Sequence, residues 1–379
     1  MLELDIKGIL LLFFIGAFFV TYTLIPIIIK IVEYKNFTDK PNHRSSHSKN
    51  VPTLGGIAFY VTLIFVLFFI EKWDDSNVSI YIIPGLTILF LAGLKDDILV
   101  ISPASKLTAQ VLAIIFVLAN ETMQIRGLSG FLGINQIPFY LSVLISVFTM
   151  IVIINAYNLI DGIDGLASII GIIISTTFGF GFYFLQLYYF AILSVVVIAM
   201  LAAFLRFNLS YKNKIFMGDT GSLIIGFMIS IFTIKFLAID ADRLEKIPFY
   251  LENIPLVLLA ILVIPMFDFG RVFFIRLFNK KNPFKPDRNH THHILIDLGI
   301  SHSKVSIILG ILNVLLILLM IYLSTRLKNI PIILIFCIVI IILFYILYRL
   351  NFSFSNLRKK LFFRNKMEDF KSKIKNKKH

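Results

Sequence analysis

Long apolar runs recur along nearly the whole chain, and they constrain its fold more than any other feature of the sequence. A helix needs about 20 apolar residues to cross a hydrocarbon core of roughly 30 Å. Several runs are short or interrupted, for example by Pro84, Pro265 and Asp268, so their boundaries are soft. We predict an all-α polytopic membrane protein of about eleven transmembrane helices. The segments lie near residues 9–32, 54–70, 79–94, 107–120, 139–157, 166–183, 188–205, 221–238, 255–278, 305–324 and 331–348.

Composition agrees with a membrane protein, because only 15% of the residues are charged, whereas a soluble domain carries about a quarter. The single cysteine, Cys337, has no partner for a disulfide within the chain. No small-residue cleavage site follows the first apolar run, which therefore reads as a retained helix. We assign residues 1–349 to one integral membrane domain and residues 350–379 to a basic cytoplasmic tail.

The formal charge of +14 could indicate a nucleic-acid binder, but it has a simpler origin. The great majority of the 36 Lys and Arg residues lie in alternate connections between the apolar segments, as the positive-inside rule requires. This bias predicts an N-terminus outside, a cytoplasmic C-terminus and no nucleic-acid partner. We interpret the tail as solvated or associated with lipid headgroups, with specific partner binding as the alternative. On the outer side, the glycine-rich stretch 123–137 predicts a small extracytoplasmic β-hairpin.

Polar clusters all fall in the predicted cytoplasmic connections. In the first, Arg44 and Lys49 could bind phosphate, although a plain basic loop is the default interpretation. Gly55 and Gly56 allow the backbone to approach a ligand or a neighbouring helix closely. The adjacent carboxylates of Asp96 and Asp97 repel each other and are costly at a membrane interface unless a cation lies opposite. A solvated helix end is the alternative interpretation of this pair.

The cluster from Asn155 to Gly165 is the strongest indication of a functional site. It carries Asn158, Asp161 and Asp164, which would share one face of a helix, with no basic residue nearby. Its two glycines suggest instead that the helix breaks there. Acids at membrane depth without compensation indicate function by default.

Two further clusters follow. Asp219 lies at the start of a span, where free helix amides suit phosphate and a carboxylate can hold a hard cation. Capping of that span by Asp219 or Thr220 is the alternative. The last cluster contains Arg288, His290, His292 and His293. Its histidines could suggest zinc. Because no thiolate accompanies them, phosphate binding or acid–base chemistry is the better interpretation. Asp268 and Arg271 most simply pair with each other.

Together these clusters resemble the polyprenyl-phosphate N-acetylhexosamine-1-phosphate transferases of glycosyl transferase family 4. The resemblance rests on Asp96-Asp97, Asn155 to Gly165, Phe216 to Ser222 and Pro286 to His293, in that order along the chain. The family includes enzymes that start lipid-linked O-antigen and teichoic-acid linkage units, and the translocase that makes lipid I.

The resemblance implies a role for individual residues. Asp219 would bind Mg²⁺, for which Mn²⁺ is a possible substitute, and Asn158 would be a further ligand. The catalytic set would be Asp96, Asp97, Asp161, Asp164, His290, His292 and His293. The substrate-binding set would be Lys49, Thr53, Asn158, Phe216, Arg288 and Arg44, with Phe216 placed to stack on uracil.

The implied activity is transfer of N-acetylhexosamine-1-phosphate from a UDP-sugar to polyprenyl phosphate, with release of UMP. The enzyme would lie in a bacterial inner membrane with its active site on the cytoplasmic face, and a homodimer is a possible assembly. The run His290-Thr-His-His lacks the glutamate typical of lipid I translocases, which favours a UDP-N-acetylglucosamine donor. Phospho-MurNAc-pentapeptide transfer is the alternative, and a secondary transporter is a remote one.

Overall fold

The structure, a computed structural model, describes residues 5–34, 38–39, 51–244, 246–278, 280 and 290–350. These residues form helices joined by short connections, and one two-stranded antiparallel sheet of β1 (Thr38–Asp39) and β2 (Val51–Pro52). The helices are α1 (Ile6–Tyr34), α2 (Gly56–Phe69), α3 (Val78–Leu99), α4 (Pro103–Leu118), α5 (Phe139–Ile160), α6 (Leu166–Phe184), α7 (Tyr188–Asn208), α8 (Gly218–Leu237), α9 (Ala241–Leu244), α10 (Ile254–Ile261), α11 (Val263–Phe278), α12 (Thr291–Asp297), α13 (His302–Ser324) and α14 (Asn329–Leu350).

Eight helices of the described part are long and apolar enough to cross a membrane: α1, α3, α5, α6, α7, α8, α13 and α14. The bent pair α10 and α11, at 73° to each other, is a ninth candidate, whereas α2 and α4 are shorter apolar helices of 14 and 16 residues. Every predicted segment therefore coincides with one of these helices or with the bent pair. The multi-pass, all-α fold is confirmed, while eleven crossings and the orientation stay predictions.

Helix α8 lies at the centre of the bundle. It is almost completely buried, because α2, α3 and α5 pack around it. At its N-terminal end, a side chain on Gly56 would overlap the backbone of Gly221. The close approach that we predicted for Gly55 and Gly56 is therefore made to a neighbouring helix, and it brings α2 against the first turn of α8.

The predicted β-hairpin at 123–137 is wrong. Two single turns of 3-10 helix, Glu121–Met123 and Phe131–Gly133, begin and interrupt this stretch, which contains no strand. Backbone hydrogen bonds cross it at only a few places, such as Ile137 N to Arg126 O at 2.9 Å. The cause is local, since four residues between 129 and 133 have positive φ and cannot continue a strand.

One end of the bundle collects the polar clusters. Helices α3 and α5 end there, and α4, α6, α8 and α13 begin there, because short connections make successive helices antiparallel. Segments of the sequence that are up to 142 residues apart are therefore in hydrogen-bond contact at this end.

Candidate active site

Asp97, in the last turn of α3, holds the first turn of α8. Its carboxylate accepts hydrogen bonds from the backbone N–H of Asp219 at 2.7 Å and of Thr220 at 3.0 Å. The Thr220 hydroxyl donates a third bond at 2.5 Å. α8 is therefore capped from another helix and not by Asp219 or Thr220. The expectation that these amides are free for phosphate is wrong, because Asp97 already occupies them.

Lys106, in the first turn of α4, lies between two of the predicted carboxylates. Its ammonium group donates to Asp96 at 3.0 Å and makes a short ion pair with Asp219. The other oxygen of Asp96 accepts the Ile101 N–H at 2.7 Å. Sequence reasoning missed Lys106. The signal was a cation in the first turn of an apolar helix, where the helix dipole disfavours it unless an acid lies opposite.

Asn158 completes this group from the last turn of α5. Its side-chain amide donates to Asp219 and to the Ser222 hydroxyl, both at 2.7 Å. We call Asp96, Asp97, Lys106, Asn158 and Asp219 the carboxylate–lysine cluster. Four helix ends supply its members, so the cluster exists only in the packed bundle.

The helix break predicted between Asn158 and Asp164 is confirmed. α5 ends at Ile160, Asp161 is its C-cap, and α6 begins after Gly165. The three polar residues consequently do not share one helix face. The Asp161 N–H donates to Asn158 O at 3.3 Å, but its carboxylate accepts no hydrogen bond from the described part of the chain. Burial, together with the charges of Asp219, Asp97 and Asp164, raises the pKa of its carboxyl well above its ordinary value.

Asp164 lies beside a second basic group. Its Oδ2 accepts from the Lys214 ammonium at 2.7 Å and contacts His302 Nδ1 at 3.3 Å. Burial alone would raise the pKa of Asp164, but the bonds and charges of His302 and Lys214 lower it below its ordinary value. Lys214 also lies 5.3 Å from the centre of the Phe216 ring. Sequence reasoning missed Lys214 and His302; the only signal for Lys214 was its place two residues before Phe216.

Thr53 lies next to Phe216, as part of the connection between β2 and α2. The Phe216 N–H donates to Pro52 O at 2.8 Å, and the Gly55 N–H donates to Phe216 O at 3.1 Å. The structure therefore brings Thr53, Phe216 and Asp164 to the same end of the bundle as Asp219.

Of the three histidines, His292 contacts the break between α5 and α6. This side chain is buried against Gly162, where any side chain on the glycine would overlap its imidazole. Burial lowers the pKa of His292 to about 3, so the ring is neutral at physiological pH. His290 and His293 flank it, with ring centres 5.6 and 4.4 Å away.

Asp268 positions the histidine segment. One carboxylate oxygen is hydrogen-bonded to His290 Nδ1 at 2.8 Å, and the other accepts a hydrogen bond from the Thr291 N–H at 2.6 Å, at the start of α12. The structure thus gives Asp268 partners other than the Arg271 that we predicted. In the described residues, His, Cys, Asp and Glu form no group of three or more that could hold a metal.

Comparison with known proteins shows what the chain is similar to. Residues 79–237, which include Asp96, Asp97, Asn158, Asp161 and Asp219, match the profile described as Glycosyl transferase family 4. Over this range the chain is similar to glycosyl transferase family 4.

Individual relatives align with most of the chain. It is 27% identical over 286 residues to the undecaprenyl-phosphate alpha-N-acetylglucosaminyl 1-phosphate transferase of Escherichia coli K12, covering 74% of each chain. It is 28% identical over 293 residues to a probable undecaprenyl-phosphate N-acetylglucosaminyl 1-phosphate transferase of Bacillus subtilis, covering 76% of this chain and 78% of the relative. The Yersinia pestis transferase is also 28% identical, over 277 residues.

Three of the predicted site residues fall outside the described part of the chain. Lys49, Arg44 and Arg288 lie outside the described residues, as does the tail from residue 351. The placed residues, from Thr53 to His293, all lie at one end of the bundle. Their assignment as catalytic or substrate-binding stays a prediction.

The donor set fits a hard divalent cation. Asp219 and Asn158 offer oxygens within one cluster, and Asp161 adds a carboxyl without a protein partner in the described part of the chain. Mg²⁺ typically uses one or two protein carboxylates together with substrate phosphates and water, not a cage of protein ligands.

Proposed function

We propose that this chain transfers N-acetylglucosamine-1-phosphate from its UDP-sugar to undecaprenyl phosphate and releases UMP. The activities named for the relatives in Escherichia coli and Bacillus subtilis support the sugar and the carrier lipid. The distribution of Lys and Arg supports an active site on the cytoplasmic face of a bacterial inner membrane. The observation that carries the proposal is the meeting of Lys106, Asp219 and Asn158 at the N-terminal end of α8.

The reaction requires two anions to approach each other in line, so the site must supply positive charge. Lys106 and Lys214 provide it at the two sides of the Asn158–Asp164 break. Both ammonium groups are already held by carboxylates, which fixes their positions before substrate binds. Asp97 fixes the backbone of Asp219 in the same way.

The proposed step is a single displacement. A non-bridging oxygen of the lipid phosphate attacks the β-phosphorus, a new P–O bond forms, and the bond from the β-phosphorus to the bridging oxygen breaks. UMP leaves with that electron pair. A phosphate monoester has a second pKa near 6 and is largely a dianion at neutral pH, so it needs no strong base. Asp96, held by Lys106 and the Ile101 N–H, suits a positioning role.

Asp219 and Asn158 would hold Mg²⁺, with Asp161 as a further oxygen donor. Bound there, the cation would neutralise the diphosphate and stabilise the charge that develops on the leaving phosphate. Lys106 would share Asp219 with it and would thereby keep the carboxylate oriented. The chemistry of the donors also allows Mn²⁺.

A two-step route through an aspartyl-phosphate is the alternative mechanism. The contacts of Asp97 weigh against this residue as the site of the phosphate, since both of its oxygens are occupied by backbone and hydroxyl donors. Radiolabelled phosphate that becomes trapped on the protein without acceptor lipid would favour the two-step route.

The deciding experiment measures UMP release from a panel of UDP-N-acetylhexosamines, with and without undecaprenyl phosphate. We expect release that depends on the lipid and is fastest with UDP-N-acetylglucosamine. Asp219→Asn should abolish it, whereas Asp242→Asn, an exposed acid on α9, is the matched control. Unchanged release by the Asp219 variant would remove Asp219 from the mechanism.

The same panel separates the rival functions. A preference for the UDP-muramyl-pentapeptide donor would indicate lipid I synthesis. A secondary transporter would release no UMP with any donor.

A further inference from the structure

A second polar site lies at the opposite end of the bundle from the carboxylate–lysine cluster. It is a cavity of about 460 Å³, which we call the distal cavity. Its walls come from the connections α2–α3, α4–α5, α6–α7 and α8–α9. α8 links the two sites: Lys235 follows Asp219 by 16 positions, or about 24 Å at 1.5 Å per residue. The proposed transfer reaction does not use this cavity.

Lys235 is the central cation of the distal cavity. It is half-buried in the last turn of α8, and its ammonium lies 5.2 Å from the centre of the Phe190 ring. It makes no hydrogen bond or ion pair to any described residue, so its three N–H donors are unused. Arg243 repels it and the carboxylates of Asp74 and Asp240 attract it, but none of the three is within ion-pair distance.

Asp74, Asp75, Glu121 and Asp240 line the cavity, and two of these four acids are already engaged. Asp74 accepts the N–H groups of Val78 and Ser79, both at 2.7 Å, and so caps α3. Glu121 pairs with Arg126 at 3.3 Å. Lys235 and the exposed Arg243 have no carboxylate partner among the described residues, and they face the same space. A half-buried ammonium and a guanidinium that share one cavity form a binding site for an anion.

The aromatic residues of the cavity indicate where such an anion would come from. Trp73, Tyr188 and Tyr189 line it together with Phe190. Trp and Tyr are enriched where membrane meets water, and the ends of the spanning helices lie at that level. The cavity volume is within the range of small-ligand sites, roughly 300–1,000 Å³. A phosphate group with part of a lipid headgroup is of this size and charge.

We propose that the distal cavity binds a phosphate-bearing ligand whose anionic group is held by Lys235 and Arg243. The ligand is either the phosphate headgroup of an anionic lipid or a free phosphate ion, which share this chemistry. The site is separate from the proposed active site, so the proposal does not depend on the transfer reaction.

Trp73 allows a direct test because it is the only tryptophan in the chain and lies in the wall of the cavity. Its fluorescence would be recorded on the full chain in phosphate-free detergent. One arm adds inorganic phosphate, and the other adds soluble dihexanoyl-phosphatidylglycerol. We expect a saturable change that weakens as salt is raised.

Lys235→Gln should weaken binding roughly tenfold to a hundredfold, as loss of a charge-assisted hydrogen bond does. Arg243→Gln should weaken binding several-fold. Because the Arg243 side chain is exposed, this variant should fold even if Lys235→Gln does not. Lys246→Gln is the matched control, since this exposed lysine lies outside the cavity.

The two arms separate the sources. A response to both ligands indicates that the phosphate alone is recognised, and a response to phosphatidylglycerol alone indicates a lipid headgroup. The proposal is overturned if neither ligand changes Trp73 fluorescence. It is also overturned if Arg243→Gln, and Lys235→Gln where that variant folds, bind as tightly as Lys246→Gln.

Discussion

Replacing Lys106 by Gln tests the reasoning behind the active site most directly, because only the structure assigns this residue. The substitution removes the cation between Asp96 and Asp219 and keeps much of the side-chain length. The side chains of Lys106 and Asp96 are 18% and 10% exposed, and that of Asp219 is 34% exposed. The pairs are therefore screened less than surface ion pairs and more than fully buried ones.

The magnitude follows from these exposures. Losing one partner of a fully buried pair costs about 3–5 kcal/mol, and surface pairs are worth about 0–1 kcal/mol. We expect Lys106→Gln to lower the free energy of unfolding by about 1–3 kcal/mol, between these limits. Turnover should fall about 10²–10³-fold, as when one oriented donor to a developing negative charge is removed.

The assay is UMP release at saturating UDP-N-acetylglucosamine and lipid, with thermal unfolding in the same detergent. Lys304→Gln is the matched control, because Lys304 is an exposed lysine in the first turn of α13. In the double variant with Asp219→Asn, the two losses of unfolding free energy should not add, because the residues form one ion pair. Turnover of Lys106→Gln equal to that of the Lys304 control would refute the role of Lys106.

Three further outcomes are expected. Asp97→Asn removes the charge that caps α8, so it should lower the free energy of unfolding by about 1–2 kcal/mol and also lower turnover. An unchanged midpoint of thermal unfolding would contradict the cap. Asp164→Asn should raise KM for the UDP-sugar about tenfold and lower kcat less, because it releases Lys214 from its place over Phe216; a loss in kcat alone would argue against this. His292 has a folded pKa of about 3, below its unfolded value of about 6.5. The unfolded chain therefore binds more protons between these values, and stability should fall as pH drops from 7 towards 3. His292→Gln should flatten that dependence, and an unchanged pH profile of the midpoint would show that this ring does not cause it.

The helices and the location of the site were largely predictable from the sequence. Apolar runs of membrane-spanning length are local features, and each predicted one is a helix or a bent pair. The break after Asn158 followed from its two glycines, and its position is confirmed. The meeting of Asp97, Asn158 and Asp219 at one end followed from the antiparallel order of successive helices.

The partners of these residues were not predictable in the same way. Lys106 and Asp219 are 113 positions apart, and Asp97 and Thr220 are 123 positions apart. No local pattern says which helix ends come into contact. The predicted hairpin failed for a related reason, since alternation around glycines does not reveal positive φ angles at 129–133.

The sequence by itself determined an all-α membrane protein whose acids gather at one end, because length and apolarity decide which segments cross a bilayer. Only the tertiary structure decided that Asp97 caps α8, that Lys106 lies between Asp96 and Asp219, and that Asp268 holds His290. Charges are paired by distance in space. Helix packing sets that distance through close approaches such as that of Gly56 to Gly221.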